Sequence, residues 1–195
     1  MADAAENYYD VHAILAEETL LPCVVLSGAT GIGRMLDPSC DSLDLPRRAV
    51  LEMPLWLAKP LAERRMLQLR LPRWYNERMQ RKMQAGAHVE DLRTRCPYFY
   101  EVALRMDALG HFEGLGKFVH SSFQKRYKDL LTRAHAGEAG PDATRLLATM
   151  SVEEAALFEA GRASVSAFDR WRLNGHAAPR TRIKRRLDGA PARGV

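Results

Sequence analysis

The 195-residue chain has only three cysteines, Cys23, Cys40 and Cys96, far apart and without any CxxC spacing. That leaves neither a disulfide framework nor a zinc ribbon, and it fits a reducing compartment. No stretch approaches the ~20 uninterrupted apolar residues of a membrane span. The opening MADAAENYYDVH has no basic start followed by an apolar core, so no secretory signal is expected. The histidines His12, His88, His111, His120, His135 and His176 form no pair with a cysteine or carboxylate at ligand spacing, so no metal is expected. Internal repeats and low-complexity tracts are also lacking. With 47% hydrophobic and 27% charged residues, the composition is that of a globular intracellular chain. Its length suits one ordinary domain, or a medium one with a small appendage.

Charge is present but unevenly placed. From residue 178 onward there are six basic residues (Arg180, Arg182, Lys184, Arg185, Arg186 and Arg193) against Asp188 alone. Removing them from totals of 29 and 24 leaves 23 bases and 23 acids in residues 1–177, so the tail carries the whole net charge of +5. Residues 1–50 hold 8 acids and 3 bases, and residues 51–100 hold 5 and 10. A neutral, polarised body suits docking onto proteins better than tracking phosphates. The basic run in the tail reads equally well as a nuclear-import or nucleic-acid segment and as a solubilising terminus.

The first ~70 residues are mixed and turn-rich. Asp10 is placed to cap a short helix through VHAILAEE. Pro22 opens a β-branched run that ends at GATGIG, and Asp37 to Pro46 reads as a loop. VLEM, the helix PLWLAKPLAERR with Pro54 in its first turn, and MLQLRLP with alternating Leu67, Leu69 and Leu71 follow. From Pro72 the pattern is helical. Trp74 to Met83 has no breaker, Pro97 starts a helix through YFYEVALRMDAL, and a longer one runs from about Leu115 to Ala134. Ser151 and Glu154 form a capping box for a last helix, with Ala155, Leu157, Phe158, Gly161, Val165, Phe168 and Trp171 as its apolar face and Asn174–Gly175 as its stop.

These features predict an α+β chain, mostly helical. A small β-rich N-terminal domain over 1–71 is followed by a larger all-α domain over 72–177 and a disordered basic tail over 178–195.

The strongest catalytic decoy is VVLSGATGIGR, whose glycines suggest the dinucleotide loop of an NAD-dependent oxidoreductase. Gly28, Gly31 and Gly33 are one residue short of the usual spacing, and Pro38 cuts off the crossover helix. No later βα units and no Tyr-xxx-Lys pair follow, so a glycine-rich turn is the expected structure. Glu153 and Glu154 suit a helix N-terminus, where acids meet the positive dipole end. Ser121 and Ser122 lie mid-helix. No set of acid, base and nucleophile emerges; no catalytic residue and no cofactor are expected.

PLWLAK, Pro54 to Lys59, is an unusual string. On physics alone its Trp56 belongs in a core, wedged between the two units; on a surface it would be an interface hot spot. The string, with LEM before it and a basic stretch and Leu-rich strand after it, resembles the signature of GINS subunits, in particular the Psf-two and Psf-three types. HVEDL with RTRCPYFYEVAL, and the ending LFEAG with Phe168 and Trp171, are similar to the Psf-three type. The resemblance covers about residues 8–175, while the loop 28–48 and the tail depart from it.

It implies a non-catalytic structural subunit of a heterotetramer supporting initiation and elongation of DNA replication. Its partners would be three sister GINS subunits and, in the CMG helicase, the MCM ring and the third component. The location would be the nucleus, with no membrane association and at most a minor direct DNA contact. Candidate interface residues are Leu55, Trp56, Leu57, Tyr98, Phe99, Tyr100, Leu157, Phe158, Phe168 and Trp171. Arg180, Arg182, Lys184, Arg185 and Arg186 are candidates for a nuclear-localisation segment. The Psf-two paralogue is the nearest alternative, and a helical DNA-binding protein is an alternative of another class.

Overall fold

The computed structural model describes residues 9–36, 42–136 and 141–174. The tail residues Arg180 to Arg186 and the Asn174–Gly175 stop, beyond the helix position of Asn174 itself, lie outside that description.

The N-terminal unit carries the three strands of the described residues. Helix α1 (Val11–Glu17) is capped as its sequence predicts, with the Asp10 side chain accepting from the His12 N–H at 2.9 Å. Strands β1 (Leu20–Val25), β2 (Val50–Pro54) and β3 (Leu67–Leu69) form an antiparallel sheet in the order β2-β1-β3. β1 begins two residues before Pro22, so a proline sits inside the central strand. It is tolerated where the third strand runs out. The Pro22 carbonyl accepts from the Arg70 N–H at 2.8 Å, but proline has no N–H to return, and the ladder ends there. Between β1 and β2, a four-residue helical turn α2 (Gly33–Leu36) lies inside the segment read as turn and loop.

Helix α3 (Leu55–Glu63) follows β2 directly, with Pro54 as its N-cap rather than its first residue. Leu55, Ala58 and Ala62 are its buried stripe, which leaves Trp56 one step off the core-facing side and 50% exposed. The tryptophan is therefore not the core wedge that its size led us to expect. Leu55 takes that place.

The helical region is more segmented than its pattern. The stretch from Trp74 to Met83 is split at Asn76, whose side chain accepts from the Met79 N–H at 2.9 Å and restarts the chain as α4 (Glu77–Gly86) after a one-turn 3₁₀ helix, Arg73–Tyr75. A second such turn, Ala87–Val89, follows. Helix α5 (Phe99–Asp107) starts just after Pro97, and α6 (Leu115–His135) matches its predicted span closely. Helix α7 (Pro141–Thr149) was not foreseen, and α8 (Val152–Asn174) closes the bundle.

One apolar cluster runs through both regions, from Leu21, Met53 and Leu55 to Tyr75, Phe99, Met106 and Val119. Tyr75 donates its hydroxyl to the Phe99 carbonyl at 2.5 Å inside it. Arg105 of α5 pairs with Glu17 of α1 at its edge. Burial pushes the Cys23 thiol up to about 11 and the Cys96 thiol to about 12, so both behave as small core hydrophobes. A second, smaller cluster of Leu130, Ala134, Met150 and Phe158 joins α6 to the start of α8.

Candidate interaction surface

The surface is organised by a polar knot beneath it. The buried residues of α6 recur as Leu115, Val119, Ser122, Arg126, Leu130 and Ala134, so Arg126 occupies a core position in an otherwise small or apolar stripe. Its guanidinium meets Glu154 of α8 through two parallel bonds, Nε to Oε1 at 2.6 Å and Nη2 to Oε2 at 2.7 Å. Nη1 donates to the carbonyls of Ala87 and Glu90. Tyr100 of α5 donates its hydroxyl to Glu154 Oε1 at 2.6 Å. Two parallel charge-assisted bonds make this one of the stronger pairings available to side chains.

The capping box closes the knot. The Glu154 N–H reaches Ser151 Oγ at 3.3 Å and the Ser151 N–H reaches Glu154 Oε2 at 3.4 Å. Burial works against the Arg126 charge, but the Glu154 bond and charge outweigh it and hold the guanidinium firmly protonated. Burial, with Glu154 adding to it, drives the Tyr100 hydroxyl far above its ordinary range. Glu154, read from sequence as the capping-box partner of Ser151 and a helix-end acid, thus also ties α5 and α6 to α8, and Arg126 extends the tie to the turn at Ala87. The signal for Arg126 was its place in the α6 stripe.

Further along α8 the packing stays close as far as Gly161 and loosens beyond it. Phe158 is fully buried, and Gly161 lies where an added Cβ would stand 3.1 Å from the Ala134 Cβ, so the two helices meet closely there. Beyond that point Phe168, Trp171 and Leu173 are 56%, 67% and 76% exposed. Phe168 and Trp171 pack on each other, ring centroids 5.7 Å apart. Large aromatics left in water on one helix are the composition of an interface core. Exposed Leu104 and Leu157, half-exposed Trp56, and Val11, Ile14 and Leu15 of α1 add further apolar surface.

The ten residues proposed from sequence as interface fall into two sets. Leu55, Phe99 and Phe158 are fully buried, and Tyr98 and Tyr100 nearly so; all five are occupied within the chain's own core. Leu57 is half-buried against the same cluster. Trp56, Leu157, Phe168 and Trp171 are open to a partner. Leu104, Leu173 and Val89, exposed and apolar, were not foreseen, because single apolar residues outside a periodic stripe carry no signal.

The glycines of GATGIG serve the loop itself. The Gly31 N–H, at φ +78°, bonds Asp44 Oδ1 at 3.0 Å, and the Gly33 N–H bonds the Leu43 carbonyl at 2.8 Å. A Cβ on Gly33 would stand 2.7 Å from the Ser42 carbonyl oxygen. These residues fold the loop back on 42–45 through the Ala29–Leu45 bridge. Among the described residues no group of three His, Cys, Asp or Glu side chains is placed to hold a metal ion, and no helix is long and apolar enough to cross a membrane.

Residues 74–173 match the family model described as the GINS complex protein helical bundle domain, and residues 9–63 match the PSF3 N-terminal domain. The chain is 32% identical over 171 residues to the DNA replication complex GINS protein PSF3 of Xenopus laevis, covering 85% of this chain and 80% of that one. It is 29% identical over 177 residues to the Mus musculus protein of the same name, with the same shares. To that of Phaeosphaeria nodorum it is 27% identical over 173 residues, covering 85% of this chain and 95% of the relative. The bundle fixes the broader class. With the N-terminal match and these relatives, the chain belongs to the GINS complex protein family, in its PSF3 branch.

Proposed function

We propose that the chain is a non-catalytic structural subunit of a GINS complex acting in DNA replication, joined to three sister subunits. Family membership supports the replication role, since its relatives are named as DNA replication complex GINS proteins. The structural observation that carries the assembly role is the outer half of α8. Phe168, Trp171 and Leu173 stand exposed on a helix whose root is fixed by a buried ion pair. Such a surface gains most when a second protein covers it. Trp56, Leu157 and Leu104 supply secondary apolar contacts. Through its sisters the subunit would join the MCM ring and the third CMG component in the nucleus. The neutral folded body makes any direct DNA contact minor.

Co-expression with the three sister subunits, followed by gel filtration, tests the reading. The wild-type chain should co-elute with them as a stoichiometric complex. A Phe168→Ala, Trp171→Ala double variant should be lost from that peak. Wild-type chain eluting alone, in the presence of folded sisters, would overturn the assignment.

A further inference from the structure

Seven bases and one acid lie between Arg64 and Lys82, so the positive end of the folded body is concentrated in one short stretch. The fold gives that stretch a shape. Strand register sets Glu52 of β2 beside Pro22 of β1, and on the other side the Pro22 carbonyl accepts from the Arg70 N–H. Glu52, Pro22 and Arg70 therefore stand in a row on the face of the sheet turned away from the core. There a cleft of about 620 Å³ opens between Pro22, Val50 and the chain from Arg70 to Trp74. A second, of about 290 Å³, lies between Arg73, Arg78 and Arg95. Arg73 lines both, so the two form one surface running from the sheet to the start of α4. Its charges are only partly neutralised from within. Glu90 holds Lys82 at 3.3 Å and Arg95 at 2.9 Å, and Glu77 holds Arg81. Arg70, Arg73 and Arg78 are exposed, and their side chains make no ion pair or hydrogen bond among the described residues. The floor between them is apolar: Pro22, Leu71 and Trp74 are half-buried, and Val50 is 57% exposed.

Three uncompensated guanidiniums around an apolar floor fit an anionic occupant that brings an apolar side chain of its own. A nucleic-acid strand meets this surface badly. Glu52 stands at the rim without a cation partner among the described residues, where it repels a regular row of phosphates, and the folded body as a whole is neutral. A peptide can place its carboxylates at the arginines and turn a backbone N–H toward Glu52. We propose that this surface docks an acidic segment of a partner protein. Its carboxylates pair with Arg70, Arg73 and Arg78, and one aromatic or aliphatic side chain seats against Trp74 and Val50. This partner is additional to the contacts of the outer half of α8, and its docking does not depend on them.

The test uses the full-length chain and a blocked synthetic peptide of aspartates and glutamates around one central phenylalanine. In titrations followed by NMR, the Trp74 indole and Val50 methyl resonances should shift saturably, and added salt should weaken the binding. Arg73→Glu should lower the affinity by about tenfold or more, because reversal replaces attraction by like-charge repulsion. Arg81→Glu makes the same change in net charge outside both clefts and should lower it by less than about threefold. Both positions are exposed, so the unfolding midpoints of the two variants should match that of the wild type. Exchanging the phenylalanine of the peptide for serine should also weaken binding. No saturable shift, or equal losses in Arg73→Glu and Arg81→Glu, overturns the proposal. An oligothymidylate that binds more tightly than the peptide, with the same dependence on Arg73, assigns the surface to nucleic acid and overturns it. A chain begun at Tyr9 that gains affinity for the peptide overturns it too, since Asp3 and Glu6 of the same chain would then be the occupants. So does a dimer of the full chain that the peptide disperses, which would assign the surface to a second copy.

Discussion

The two halves of α8 are built on opposite principles. From Ser151 to Phe158 each turn commits a side chain inward, with Leu157 left exposed on the other side. A capping box, a bidentate ion pair with Arg126 and a fully buried phenylalanine leave that half little freedom. From Gly161 to Leu173 the same helix shows its aromatics to water. A 23-residue helix is long enough to hold its shape past the core that anchors it. The inner half therefore sets the direction of the helix, and the outer half exposes the surface that the proposed assembly would cover. On the proposed assembly role, stability and recognition are separated along one element, so substitutions in the two halves should move different observables.

The largest effect should come from the knot. Arg126→Ala leaves Glu154 buried and unpaired, and should cost about 3–5 kcal/mol of unfolding free energy in denaturant titrations. Replacing both partners by apolar residues, Arg126→Met with Glu154→Leu, should recover most of that loss; no recovery would mean that the bonds to the Ala87 and Glu90 carbonyls matter more than the pair. The outer half should behave in the reverse way. Trp171→Ala should change the unfolding free energy of the chain by less than about 0.5 kcal/mol, as at exposed sites generally. Binding to the sister subunits, measured by calorimetry, should fall by about 2 kcal/mol or more if Trp171 is a hot spot. A Trp171→Ala chain that is strongly destabilised on its own would erase the contrast between the halves.

Alkaline pH should again single out the inner half. The Tyr100 hydroxyl keeps its proton in the folded state well above the range where an unfolded tyrosine, near 10, loses it. Above about pH 10 the unfolded chain therefore binds fewer protons, and stability falls by up to about 1.4 kcal/mol per pH unit for this group. Tyr75 shifts in the same direction. Tyr100→Phe should make the decline shallower without abolishing it, as read from unfolding at pH 9, 10 and 11. Smallest is the cap: Ser151→Ala should cost about 1 kcal/mol in thermal unfolding, with assembly unchanged.

Much of the bundle was legible because its signals are local. Ser151 and Glu154 lie three residues apart, and their reciprocal bonds form as the pattern implies. The α6 stripe is periodic and well bounded, so its ends fell where expected. Long-range pairing was not legible. Nothing near Arg126 in sequence shows that its partner is 28 residues away, and a charge among apolar residues ordinarily reads as a solvated face. Asn76 was passed over because a cap inside a helix-forming run looks like an ordinary polar residue until its side chain turns back on Met79. Helix α7 has only nine residues and buries little besides Ala143, too short a pattern to stand out. The surface was partly legible. Aromatic identity drew attention to Phe168 and Trp171, but it could not separate them from Phe99 and Phe158, which a single step around a helix sends into the core.

The close crossing at Gly161 gives α8 the mechanics of a cantilever. Trp171 lies ten residues beyond it, roughly 15 Å along the axis at 1.5 Å per residue. A change of about 10° in the crossing angle would carry the indole by roughly 2.5 Å over that length. Such a displacement is comparable to a side-chain radius and enough to take an aromatic out of a fitted pocket. Any side chain larger than hydrogen at residue 161 must push against the Ala134 methyl, so the small deflection is made at the fulcrum and read, magnified, at the far end.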